Sequence, residues 1–61
     1  MTVKLTIKTD NAAFEDQSGM EVARILREAA GKVENWPGYS EFAIGLRDFN
    51  GNKVGEMEAS E

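Results

Sequence analysis

The sequence predicts a two-layer α+β domain of order β-α-β-β, in which one amphipathic helix packs on a three-stranded sheet. Three patterns carry this reading. Val22, Ile25, Leu26, Ala29 and Val33 recur at helical spacing on one face, with Arg24, Arg27, Glu28 and Lys32 elsewhere. Val3, Leu5 and Ile7 alternate with Thr2, Lys4, Thr6 and Lys8, the period of a half-buried strand. Phe42, Ile44 and Leu46 alternate in the same way ahead of Asn50-Gly51, a pair suited to a tight hairpin turn.

The amino-terminal strand ends at Asp10-Asn11, and residues Asp10–Gln17 form the longest connection. Phe14 in its middle is expected beneath the loop as a core plug, because large apolar side chains are usually inside. The helix is expected over Ser18–Asn35. Ser18 and Glu21 have the spacing of a capping box, Glu15 and Asp16 stand before the positive end of the helix dipole, and Glu28 precedes Lys32 by four residues. Gly31 lies opposite the apolar stripe and costs roughly 1 kcal/mol relative to alanine within a helix, so it marks a weak point near the end. Pro37-Gly38 sets the outer limit.

The second strand is expected over Tyr39–Asp48 and the third over Asn52–Ala59. A two-residue hairpin loop pairs Arg47 with Val54 and Ile44 with Met57; a three-residue loop with a glycine bulge pairs Leu46 with Val54. Val54 and Met57 fall on opposite faces of any regular strand, so a bulge near Gly55 would bring both inward. The second strand is the most apolar and the others carry lysines and glutamates suited to edges. The preferred order therefore has the second strand in the centre, parallel to the first. The competing order is an all-antiparallel sheet centred on the third.

The chain has 61 residues, which allows a single domain, residues 1–61, with a marginal core. With no cysteine, disulfides and thiolate metal sites are excluded; with no histidine, the commonest general base and zinc ligand are missing. Local propensity and association with a second subunit or a larger partner remain as stabilisers. The net charge of −4 disfavours nonspecific nucleic-acid binding. No apolar run approaches the roughly 20 residues of a membrane span, and Met1–Asp10 has no signal-like apolar core, so a cytoplasmic location and no membrane partner are expected.

Few residues suggest chemistry. Asp48-Phe49-Asn50-Gly51-Asn52 places oxygen ligands at alternate positions, but the segment is too short for a calcium loop and suits a hairpin turn. Glu15 with Asp16, and Glu56 with Glu58, are carboxylate pairs that read as solvated surface. No glycine-rich phosphate loop opens the helix, and Ser18 and Ser40 lack a histidine partner. No catalytic residue, metal ligand or cofactor is therefore expected. Trp36 and Tyr39 flank Pro37-Gly38 and offer rigid amphipathic contact area; with Met20 on the helix flank they are the candidate protein-binding residues. Trp36 and Tyr39 would alternatively cap the end of a small core. Lys4, Lys8 and Arg47 form the alternative nucleic-acid-binding set on the outer sheet face, opposed by Glu41, Glu56 and Glu58 and lacking stacking aromatics other than Tyr39.

Ile7–Phe14 (IKTDNAAF), Val22–Arg27 (VARILR) and Arg47–Gly55 (RDFNGNKVG) are turn, helix and hairpin stretches covering under half of the chain. On these the sequence resembles a set of short uncharacterised proteins encoded by bacteria and their phages or mobile elements. The resemblance implies a compact domain and transfers no functional residue. The expected function is that of a small non-enzymatic accessory protein that binds another protein or itself, such as a modulator or inhibitor of a host protein. The alternative is nucleic-acid binding through the exposed sheet face.

Overall fold

The computed structural model describes residues 1–61. Strand β1 (Thr2–Ile7) leads through a 3-10 turn (Ala12–Phe14) into helix α1 (Ser18–Val33), followed by strands β2 (Phe42–Arg47) and β3 (Lys53–Ser60). One helix on a three-stranded sheet is the α+β architecture that the patterns predict. The strand order is β1-β3-β2, with both pairings antiparallel. The preferred central position of the second strand is thus corrected: β3 is the centre and β1 and β2 are the edges. The physical reason is that β3 is the longest strand and buries Val54, Met57 and Ala59, whereas no residue of β1 is fully buried; Lys4 stands opposite Glu58 in the β1–β3 ladder. The β3 glutamates are tolerated centrally because they point outward, while Met57 and Ala59 point to the core.

The hairpin combines the two expected registers. Only Gly51 has positive φ in the turn. Gly51 N–H donates to the Asp48 carbonyl and Asp48 N–H to the Asn52 carbonyl, enclosing a three-residue loop. Arg47 then pairs with Lys53, but Leu46 pairs with Gly55 and Ile44 with Met57. Val54 is the extra residue of this bulge, and both Val54 and Met57 are buried. The core closes around Phe14, Ile25, Ala29, Leu46, Val54 and Met57. Phe14 is the expected plug beneath its loop.

The helix differs from expectation in its start and its rotation. Gln17 occupies the cap without a side-chain bond, and the Ser18 hydroxyl donates back to the Phe14 carbonyl from inside the first turn. The capping box does not form, because Glu21 is drawn to Arg24 and to the hairpin turn. Glu28 likewise pairs with Arg24 rather than Lys32. The helix runs through Gly31, whose missing Cβ faces open space. Most consequential is the stripe itself. Ile25 and Ala29 are buried, but Leu26 is 45% exposed and is corrected from core to surface. The helix makes its main sheet contact with β2, while in β1 Val3 and Leu5 stay exposed and Ile7 packs against the core.

Candidate interaction surface

Two polar contacts fix the helix over the hairpin. Glu21 accepts from Arg24 Nε at 2.8 Å and from Phe49 N–H at 2.9 Å. Arg24 in turn donates to the Arg47 carbonyl at 3.1 Å, at the end of β2. Successive helical residues are about 100° apart, so Arg24 and Leu26 leave the helix on opposite sides of Ile25. With Arg24 tied to β2, Leu26 points to the side of β1. Val3 and Leu5 are exposed on the sheet face that carries Met57 and Ala59. Val3, Leu5 and Leu26 are thus large apolar side chains left at the surface.

Asp48 secures the turn beneath this frame. Its carboxylate accepts from the Asn50 and Asn52 N–H groups, each at 2.9 Å, and from Asn11 Nδ2 at 2.8 Å. Asn11 also accepts from Ala13 N–H and so caps the 3-10 turn. Burial pushes the Asp48 carboxyl up, but its bonds from Asn52, Asn11 and Asn50 outweigh this and hold it below the usual range. The Arg24 bond holds Glu21 below its usual range against burial, with Phe49 N–H assisting. Arg24 is raised by the same pairing. Both carboxyl pKa values are lower folded than unfolded, so their stabilisation is present above the ordinary carboxylate range and lost below it. The thermal midpoint is therefore expected to hold from neutrality to about pH 5 and to fall progressively below about pH 4. Melting curves across pH check this, and Glu21→Gln with Asp48→Asn should flatten the acid slope.

Of the expected protein-binding residues, Trp36 and Tyr39 lie side by side and Met20 lies apart from them. Trp36 is half-buried, its indole N–H donates to the Ser40 carbonyl at 2.7 Å, and its ring meets Phe42 edge-on at 5.1 Å. It packs on Phe42 just past the helix C-terminus. Tyr39 beside it is 80% exposed. Met20 is exposed in the first turn of α1, about 20 Å away along the helix, near Phe49.

Lys4, Lys8 and Arg47 are divided between the two edges of the sheet. Lys4 and Lys8 line an open groove of about 610 Å³ on the outer face together with Lys53, Asp10, Glu56 and Glu58. Arg47 lies on the far edge and donates to the Gly51 carbonyl. The carboxylates of β3 separate the basic groups, an arrangement opposed to a phosphate backbone. No group of three or more carboxylates is placed to hold a metal ion, and no helix is long and apolar enough to cross a membrane.

Sequence reasoning missed Val3, Leu5 and Leu26 as a surface because their spacing is that of core positions. The available signal was Glu21, whose helical position beside Ile25 suits a carboxylate reaching the hairpin. No family model, curated protein or solved structure matches the chain.

Proposed function

We propose that this is a non-enzymatic protein-binding domain whose recognition surface is the uncovered face of β1 with Leu26 of α1. The observation that carries the reading is the exposure of Val3, Leu5 and Leu26 beside a small core. A chain of this size gains much from covering such a strip, since its own core is marginal. The buried polar groups serve architecture: Glu21 and Asp48 have their hydrogen-bonding capacity taken by the helix, turn and loop. Protein binding is also what an accessory or modulator role toward a host protein requires. Trp36, Tyr39 and Met20 lie outside this surface.

The test compares the parent with Leu5→Thr/Leu26→Gln in cross-linking and affinity capture from source cells. Both changes are at exposed positions, so folding should persist by circular dichroism. The parent should capture a protein, either a distinct one or itself, and the variant should lose it. Equal capture by parent and variant, or no protein contact by the parent at all, overturns the reading.

A further inference from the structure

The uncovered strip is bounded by a free strand edge, and the two together define an occupant. We infer that the strip is covered by a second copy of this chain, joined through antiparallel pairing of β1 with its two-fold mate in a register centred on Leu5. The inference rests on the surface proposed above and names its partner.

The backbone supplies the first argument. Lys8 N–H donates to the Val54 carbonyl at 2.8 Å. Hydrogen-bonded positions alternate along an antiparallel ladder, so Thr2, Lys4, Thr6 and Lys8 turn their backbone groups to β3. Val3, Leu5 and Ile7 turn theirs to the open edge. With Leu5 opposite Leu5 of the second copy, Val3 meets Ile7, and all three residues have donor and acceptor aligned for new bonds. The same register joins the apolar inner faces of the two sheets in one row of Val3, Leu5 and Ile7.

Charge and overlap together select this register. Lysines on an edge strand ordinarily discourage pairing. Centred on Leu5, Lys4 stands opposite Thr6 of the second copy and Lys8 opposite Thr2, and no lysine faces a lysine. A shift that moves the centre to Lys4 sets Lys4 against itself, and a shift to Thr6 sets Lys4 against Lys8. Registers centred on Val3 or Ile7 also keep the lysines apart but leave one end of β1 without a partner, so the register centred on Leu5 joins the whole strand. The edge of β2 lacks this combination, because the helix covers its inner face and Arg24 occupies the Arg47 carbonyl.

The experiment places opposite charges at Thr6, which is exposed on the outer face, opposite Glu56 within the chain. Association of the parent, Thr6→Lys and Thr6→Glu is followed by sedimentation equilibrium from micromolar to millimolar concentration. The parent should reach twice the mass of 6.7 kDa. Thr6→Lys should weaken association by several-fold to roughly thirtyfold, because two lysine pairs now face each other, and Thr6→Glu should strengthen it. General repulsion in a chain of net charge −4 predicts the reverse order, as does the fit of each side chain to Glu56 within the monomer. A parent that stays monomeric, or the reverse order of the two variants, overturns the inference. If a monomeric parent still captures another protein through Leu5 and Leu26, self-association fails and the binding surface stands. If capture ignores those residues, both fail.

Discussion

Gly55→Ala is expected to unfold the domain or come close to it. A Cβ at Gly55 would lie 1.9 Å from the Thr6 carbonyl oxygen and 3.0 Å from Ile7 Cα, both backbone atoms of the neighbouring strand. Neither can move aside like a flexible side chain, so β1 must separate from β3. Overpacking ordinarily costs about 1–3 kcal/mol, and a backbone clash of this kind belongs at or above the upper end. A domain of this length has a total stability of roughly 3–9 kcal/mol. The close approach follows the bulge at Val54, where the central strand gains a residue. Gly45→Ala is the control: its Cβ would meet only the Lys53 side chain, at 3.5 Å, an ordinary contact. Thermal melts should separate the two variants widely. A Gly55→Ala midpoint within a few degrees of the Gly45→Ala midpoint would show that the strands are not so close.

Ile25→Ala is the second large effect, expected to cost about 2–5 kcal/mol through lost burial and the cavity left behind. Ile25 is 1% exposed and lies among Phe14, Leu46 and Met57 in the core. Its neighbour provides the contrast. Leu26→Ala removes a side chain of nearly the same size from an exposed position and should cost under about 1.5 kcal/mol in the separated chain. Denaturant titrations at low protein concentration check the pair. Equal losses at the two positions would place Leu26 in the core and return the helix to the orientation expected from its apolar stripe alone.

The contrast between Ile25 and Leu26 shows where the sequence is informative. Helical periodicity finds α1 nearly to its ends and assigns a broad apolar sector, because side-chain spacing depends on local geometry. Which line of that sector meets the sheet depends on a contact remote in sequence, Glu21 with the Phe49 N–H. Spacing instead suggests a role for Glu21 within its own helical turn. Strand order has the same character. Alternation identifies each strand and its inner face, but a two-sided choice for β1 remains after a short hairpin. Lys4 opposite Glu58 bears on that choice only once the ladder is assembled. The hairpin shows a mixed case: Asn50-Gly51 signals a turn, whereas the register depends on a bulge that lets Val54 and Met57 share the interior.

The candidate surface was the least accessible to sequence reasoning because core and interface positions use the same residues. Val3, Leu5 and Leu26 have the spacing of buried residues, and a second subunit would bury them. Trp36 has a composition that suits an interface, and in the fold its indole bonds the Ser40 carbonyl and its ring meets Phe42 edge-on.

Amide hydrogen exchange along β1 tests the central claim most directly. Lys4 and Thr6 amides, which face β3, should be protected at every concentration at which the domain is folded. Val3, Leu5 and Ile7 amides should exchange freely in dilute protein and become protected as concentration rises, in step with the doubling of mass. Free exchange at Val3, Leu5 and Ile7 in concentrated protein, with Lys4 and Thr6 still protected, would leave the edge of β1 open and contradict the account.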